Sequence, residues 1–250
     1  MVRLVLFDID GTLVHTGHAG KAAFAKTLTA HFNVPDRTQE VKFAGRTDKS
    51  LVRELFKLHN IPATPGNFSH FFDNYAFWLD GIVAQSNGNA CTGVRQFIAD
   101  LLALPDPPML GLLTGNMRIG AEIKLRRFGL WDIFEMGGFA DDHEDRNHIA
   151  VAAHRRACRV FGREMRGEEI VVVGDTPFDV RCGKFIGAKV LAVATGGATF
   201  AELKPHSADW TIENLSQIKA AEIIKAPQNQ KVIEKPNGFA LDGIGAKNYC

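Results

Sequence analysis

Two aspartates one residue apart, Asp8 and Asp10, close the apolar stretch at the head of LVLFDIDGTLVHTG. In an extended chain, residues i and i+2 face the same side. Both carboxylates are therefore expected to point together, just beyond the last buried strand residue. Such a pair is tolerable if a divalent cation lies between the two groups or if one of them keeps its proton. Hard carboxylate oxygens suit a hard cation, which suggests magnesium. The plainer alternative is an ordinary turn or helix cap, a common place for an aspartate after a strand. A calcium-binding helix–loop–helix motif also begins DxDG. It needs a glutamate at its twelfth position, where Ala19 stands, and a helix rather than a strand before it.

Two further places offer related chemistry. Thr114, Gly115 and Asn116 follow the apolar run MLGLL. A hydroxyl followed by glycine lets backbone N–H groups come close to an anion. In VVVGDTPFDV, Asp175 ends another apolar run and Asp179 comes one helical turn later, a second pair of carboxylates suited to a metal.

These residues need elements to hold them. Four short apolar runs, VRLVLF (2–7), MLGLL (109–113), EIVVVG (169–174) and KVLAVA (189–194), read as strands buried on both faces. Amphipathic helical patterns lie between them: TGVRQFIADLLAL (92–104), RIGAEIKLRRFG (118–129) and RNHIAVAAHRRACRVFG (146–162). Strands alternating with helices predict an α/β fold built on a parallel, Rossmann-like sheet. Ligands of such sheets bind at the carboxyl ends of the strands, so the three motifs are expected to share one rim. Residues 18 to about 86 break the rhythm. Helices are expected over 19–32, 48–59 and 68–85, with Thr47 or Asp48 capping the second. The aromatics of SHFFDNYAFWLDGIV suit the core of a small helical bundle. The resulting organisation is an α/β core of residues 1–16 and 87–226, a helical insertion at 17–86 and an extension at 227–250. That extension reads as loop or an added surface strand.

Composition narrows the partners. The 250 residues are 46% hydrophobic and carry a formal charge of +1, with no basic tract, which argues against nucleic acid. No apolar run approaches the roughly 18 residues that span a membrane, and the apolar start is too short for a secretory signal. Cys91, Cys158, Cys182 and Cys250 are scattered and form no CxxC pair. They read as reduced thiols, and the expected location is the cytoplasm. Monomer and dimer are both open.

Taken together, DIDGTLV, LLTGN and GDTPFDV resemble motifs one, two and four of the haloacid dehalogenase superfamily of phosphohydrolases. GRTD (45–48) and the layout are most similar to its phosphoglycolate phosphatase and β-phosphoglucomutase branch. The resemblance covers residues 2–220 and implies that the helical insertion is a cap domain. It further implies that Asp8 is the nucleophile that forms an aspartyl-phosphate, and that Asp10 is the general acid and then the general base. Asp8, the Asp10 backbone carbonyl and Asp175 would hold Mg²⁺, with Asp179 in support. Thr114 and the backbone amides after it, at Gly115 and Asn116, would bind the phosphoryl oxygens.

The family's third motif is a lysine, and here the chain departs. Lys124 comes early, in a helix directly after motif two. Arg146 stands in the expected region, at the start of a helix whose dipole disfavours a cation unless an anion is near. An arginine fork can hold a phosphate bidentately. The alternative partner for Arg146 is the acidic loop Asp141–Asp145, and His143 and His148 read as surface residues. Thr16, Gly17, His18 and Gly20 suit a hinge, His15 the hinge or the pocket, and Arg46 and Lys49 an anionic part of the substrate.

The activity implied is Mg²⁺-dependent hydrolysis of a small, phosphoglycolate-like phosphate monoester. A phosphosugar mutase of the β-phosphoglucomutase type and a non-catalytic phosphate-binding protein are the alternatives. Loss of Asp8 or Asp10 would mark the latter, and both are present. A dehalogenase needs neither metal nor second aspartate, so Asp10 and Asp175 speak against it. A receiver-type signalling domain would be about half as long and lack the insertion.

Overall fold

The computed structural model describes residues 1–225. In chain order its strands are β1 (Leu4–Phe7), β2 (Val14–His15), β3 (Asn89–Ala90), β4 (Met109–Leu113), β5 (Met136–Gly138), β6 (Ile170–Gly174), β7 (Lys189–Val193) and β8 (Trp210–Ile212). Its α-helices are α1 (Ala19–His31), α2 (Asp48–Leu58), α3 (Pro65–Gln85), α4 (Val94–Leu102), α5 (Arg118–Arg127), α6 (Arg146–Phe161), α7 (Pro177–Phe185), α8 (Phe200–Leu203) and α9 (Ala220–Ile224).

Six strands form one parallel sheet in the order β5-β4-β1-β6-β7-β8, a Rossmann-like α/β arrangement. The apolar runs explain it. Val5, Phe7, Leu110, Leu112, Val171 and Val173 enter one apolar cluster, and Leu4, Leu6, Leu113, Ile170 and Val172 enter another. Strands β1, β4 and β6 are thus buried on both faces, as parallel strands flanked by helices must be. The register sets Phe7 beside Leu112 and Val173, so β1, β4 and β6 end level with one another. Asp8, Thr114 and Asp175 leave the sheet on this common rim.

Two strands of the six-stranded sheet lie outside the sequence expectation, as do the short strands β2 and β3. β5 is only Met-Gly-Gly, and β8 is a half-buried edge strand. Neither has an apolar run long enough to announce it. The β5 glycines are required sterically: a Cβ on Gly138 would stand 2.6 Å from the Ile149 carbonyl oxygen. Helix α3 begins at Pro65, three residues before the expected start. Thr64 caps it by accepting from Asn67 N, and Pro65 occupies the first turn, where its missing N–H costs nothing.

Helices α1–α3 pack around a third apolar cluster that includes Phe24, Leu55, Phe56, Phe71, Tyr75 and Leu79. The chain enters and leaves this helical segment through β2 and β3, which pair antiparallel, Val14 with Ala90 and His15 with Asn89. The segment also touches the sheet rim directly. Asp48 N donates to the Gly115 carbonyl at 2.7 Å, Thr47 Oγ1 to the Glu144 carbonyl at 2.7 Å, and Arg53 Nη2 pairs with Glu144 at 2.8 Å. Among the described residues no helix is long and apolar enough to cross a membrane, and Cys91, Cys158 and Cys182 are free thiols. The expectation for 227–250, and Cys250 with it, lies outside the described residues.

Candidate active site

Asp8 follows the central strand directly; its N–H continues the ladder to the Val173 carbonyl at 2.9 Å. Its carboxylate is buried, and Oδ1 lies 3.0 Å from Arg146 Nη2. Burial raises the Asp8 pKa to about 6, with Arg146 opposing and the Asp179 and Asp10 charges adding. Asp175 is also buried, accepting from Thr12 Oγ1 at 3.0 Å and from Gly197 N. Burial, with the Asp179 and Asp8 charges, pushes its pKa well above the ordinary range. Gly11 permits the close approach of this loop: its φ is +85°, and a Cβ there would stand 2.5 Å from Asp175 Oδ2.

Arg146 opens α6. Its Nη2 donates to Asp179 Oδ1, to the Leu113 carbonyl at 3.3 Å and toward Asp8. The expected alternative partner, the loop Asp141–Asp145, does not engage it; Asp142 pairs with Arg156 instead. The other Asp179 oxygen accepts from Thr176 N (2.9 Å) and Thr176 Oγ1 (2.7 Å). Asp179 is therefore tied to holding Arg146 and the start of α7. Carboxylate oxygens of Asp8, Asp175 and Asp179 lie within 4.8 Å of one another. Three buried carboxylates faced by a single guanidinium carry excess negative charge, and an all-oxygen donor set suits a hard divalent cation. The residues present fit such an ion.

Asp10 diverges from Asp8 rather than pointing with it. Asp8 turns to Arg146, while Asp10 Oδ2 accepts from Lys124 Nζ at 2.6 Å and from Asn116 Nδ2 at 2.8 Å. Its carboxylate is outside the three-aspartate group, which leaves only its backbone carbonyl for the metal role drawn from the family resemblance. Each aspartate has a cation of its own. This resolves the repulsion that the spacing implied without a shared ion between the two side chains.

Lys124 is the main correction to the sequence reading. It is 3% exposed and donates to both Asp10 and Asn116 Oδ1 (2.5 Å). The missed signal lies in α5, where Gly120, Ala121, Lys124 and Leu125 form the buried face. A lysine within an otherwise small and apolar stripe needs an anion to meet. Asp48, expected as a possible cap, has another role. Thr47 is the cap of α2, and Asp48 is free to reach across, where its Oδ2 accepts from Met117 N at 2.7 Å. Burial raises the Asp48 pKa to about 7, against the pull of Lys124 and the Met117 N–H.

The residues expected to bind phosphate also hold one another. Thr114 Oγ1 accepts from Asn116 N and Nδ2, at 3.2 and 2.9 Å. The Asn116 amide is committed to Asp10, Thr114 and Lys124, so it organises the site. Gly115 is needed because a Cβ there would stand 2.3 Å from the Arg46 carbonyl. Thr16 is buried and lines the same cavity. Arg46 lines it too, but its guanidinium is paired with Glu54 and donates to the Ser50 carbonyl at 3.2 Å. Lys49 points elsewhere, donating to the Asp141 carbonyl at 2.9 Å. His15 is on the cavity wall, whereas His143 and His148 are exposed and stack 4.4 Å apart. The cavity, of about 590 Å³, is floored by Asp8, Asp10, Lys124, Arg146 and Asp175 and walled by Phe24, Phe43, Leu51 and Tyr75 from the helical segment.

A parallel sheet with a helical insertion after its first strand, and with this acidic rim, defines a haloacid dehalogenase-like hydrolase. Residues 5–193 match the family model described as haloacid dehalogenase-like hydrolase, and the chain belongs to that family. It is 25% identical over 228 residues to pyrophosphatase PpaX of Bacillus cereus (strain AH820), a match covering 87% of this chain and 94% of that one. Its fold is shared with CbbY from Rhodobacter sphaeroides, a variant solved in complex with xylulose-(1,5)bisphosphate. That match has a TM-score of 0.73 and 18% identity, covering 90% of this chain and 100% of that one. A protein described as a predicted phosphoglycolate phosphatase from Haemophilus somnus 129pt superposes with a TM-score of 0.68 at 20% identity, over 90% of this chain and 98% of that one.

The link from Lys124 to Asp10 makes a prediction that separates positioning from folding. Lys124→Met is expected to lower kcat on alkyl phosphates by about 100-fold, the lower end of what general acid catalysis contributes. The loss on p-nitrophenyl phosphate should be several times smaller, because that leaving group needs little help from a proton. Equal losses on both substrates would mean that Lys124 acts only through the fold.

Proposed function

We propose that this hydrolase is a Mg²⁺-dependent phosphatase of small phosphate monoesters that works through an aspartyl-phosphate on Asp8. The observation that carries the reading is the division of labour on the rim. One buried carboxylate sits beside a guanidinium in an acidic cluster, and a second, more exposed one is held by a lysine in the same cavity.

Asp8 attacks phosphorus, the bond to the ester oxygen breaks, and the departing alkoxide takes a proton from Asp10. A water then gives a proton to Asp10 and attacks the aspartyl-phosphate. The bond between phosphorus and Asp8 breaks, and inorganic phosphate leaves. Asp10 suits both steps because Lys124 and Asn116 fix its orientation. Arg146 offsets charge on the phosphoryl oxygens as well as on Asp8. Asp8, the Asp10 carbonyl and Asp175 would hold Mg²⁺, with Asp179 fixing Arg146 beside them; the ion supplies Lewis-acid stabilisation of the phosphoryl group.

Residues 17–86 act as a cap in this reading. The contacts of Asp48, Thr47 and Arg53 with the sheet rim suit a cap resting on the edge of the site. The test is phosphate release from p-nitrophenyl phosphate. Turnover is expected with Mg²⁺. It should fall on the order of a hundredfold or more in EDTA, as loss of several kcal/mol of electrostatic stabilisation requires, and return when Mg²⁺ is restored. Full turnover in EDTA would overturn the reading.

A further inference from the structure

One polar group in the cavity is not accounted for by phosphate chemistry. Tyr75, from α3, is fully buried among the aromatics of the helical cluster, yet it also lines the cavity. Its Oη has no hydrogen-bond partner among the described residues. A buried hydroxyl without a partner is destabilising, so its retention calls for an explanation. The neighbourhood is specific. A Cβ on Gly20 would stand 3.4 Å from Lys124 Nζ and 3.8 Å from Tyr75 Oη, so both groups converge on the spot that glycine leaves open. Asp48 faces the same cavity with Oδ2 taken by Met117 N and Oδ1 without a partner among the described residues.

We propose that Tyr75, Asp48 and Lys124 form a subsite for a hydroxyl group on the leaving alcohol, which makes the substrate a polyol or sugar phosphate. The proposal rests on the phosphatase reading and narrows it. A hydroxyl can accept from Tyr75 Oη or from Lys124 and at the same time donate to Asp48. A carboxylate or a second phosphate would meet two carboxylates, Asp48 and Asp10, at close range. Nor do the other cap cations on this wall stand ready for it: Arg46 is paired with Glu54, and Lys21 lies over the Phe43 ring at 5.7 Å. A methyl in place of the hydroxyl would leave Tyr75 and Asp48 unpartnered in the complex.

The experiment compares kcat/KM, by phosphate release with Mg²⁺, for glycerol phosphate, propyl phosphate, phosphoglycolate and p-nitrophenyl phosphate. Glycerol phosphate is expected to exceed propyl phosphate by roughly tenfold or more, the value of one or two satisfied polar groups, and to exceed phosphoglycolate as well. Tyr75→Phe keeps the ring that packs the cluster and removes only the oxygen, so it should narrow the ratio of glycerol phosphate to propyl phosphate. Equal values for those two esters, a preference for phosphoglycolate, or a ratio unmoved by Tyr75→Phe would overturn the subsite. In each of those cases turnover of p-nitrophenyl phosphate leaves the phosphatase reading standing. Release from none of the four would overturn the phosphatase reading and the subsite with it.

Discussion

Asp8→Asn is expected to lower phosphate release from p-nitrophenyl phosphate by roughly four orders of magnitude or more, the scale seen when an enzyme loses its nucleophile. The fold should survive, because the amide keeps the shape of the carboxylate and Arg146 keeps Asp179 and the Leu113 carbonyl as partners. Stability gives an independent readout. The Asp8 carboxyl titrates near 6 in the folded protein, above its ordinary 3.8. Between those two values the folded state holds more protons than the unfolded state. The contribution of Asp8 is therefore fully present at low pH and is lost as pH rises through about 6. Without metal, Asp8→Asn should melt at the same temperature as the parent protein or higher above pH 6, and the gap should close in acid. Added Mg²⁺ should raise the melting temperature of the parent more than that of the variant. Retained activity would refute the nucleophilic role. An unchanged Mg²⁺ response would remove Asp8 from the metal site.

How much of this was legible in the sequence depends on how far each feature rests on local pattern. β1, β4, β6 and β7 are unbroken apolar runs because both faces of each are covered, and burial of that kind is written locally. The rim followed from them, since strands of one parallel sheet end together and the chemistry-bearing residues come directly after. β5 was hidden for the opposite reason. Gly138 lets Ile149 approach and Gly137 lets Phe139 approach, and a Met-Gly-Gly strand leaves little pattern to read. The two-residue strands β2 and β3 are created by the crossing of two chain segments about 75 positions apart, and nothing in either segment alone requires them.

The site divides in the same way. Asp8, Thr114 and Asp175 were placed by strand ends. Lys124 and Asp48 were not, because their roles arise from packing between separate elements. Lys124 comes early in the chain for the third motif, and that position says nothing of what its side chain meets. Nearly two turns of α5 separate Lys124 from the helix start, and its long side chain reaches back to Asn116 and Asp10. The clue was its burial face, not its position in the order of motifs. Asp48 looked like one of two candidate caps. Once Thr47 takes that task, the remaining carboxylate can cross to Met117 and into the cavity. Tyr75 is indistinguishable from its bundle neighbours by sequence, since only the oxygen at the end of its ring sets it apart.

Arg146→Ala should have the second large effect, on both rate and stability. It removes the cation from a group of three buried carboxylates. Taking one partner from a buried ion pair costs about 3–5 kcal/mol, and losing a donor aimed at the transferring group costs roughly 10²–10³ in kcat. Arg155→Ala is the control: that residue is exposed, and its loss should move neither quantity. Arg156→Ala should lower stability more than rate, because its guanidinium braces Asp142 and the Gly137 carbonyl away from the cavity. Arg146→Lys is the more telling variant. The contacts of Arg146 to Asp8, Asp179 and the Leu113 carbonyl all run through Nη2, while Nε is buried without a partner among the described residues. To the protein this arginine is a point charge, and an ammonium placed at Nη2 could replace it with little loss of stability. In the proposed mechanism Nη1 gives the phosphoryl oxygens a second donor beside Nη2, a bidentate hold that a guanidinium can offer and an ammonium cannot. Arg146→Lys is therefore expected to keep most of the melting temperature that Arg146→Ala loses, while its inhibition by inorganic phosphate weakens severalfold. Equal stability losses in the two variants would mean that the fork itself holds the fold. Unchanged phosphate inhibition in Arg146→Lys would mean that the fork does not touch the phosphoryl group.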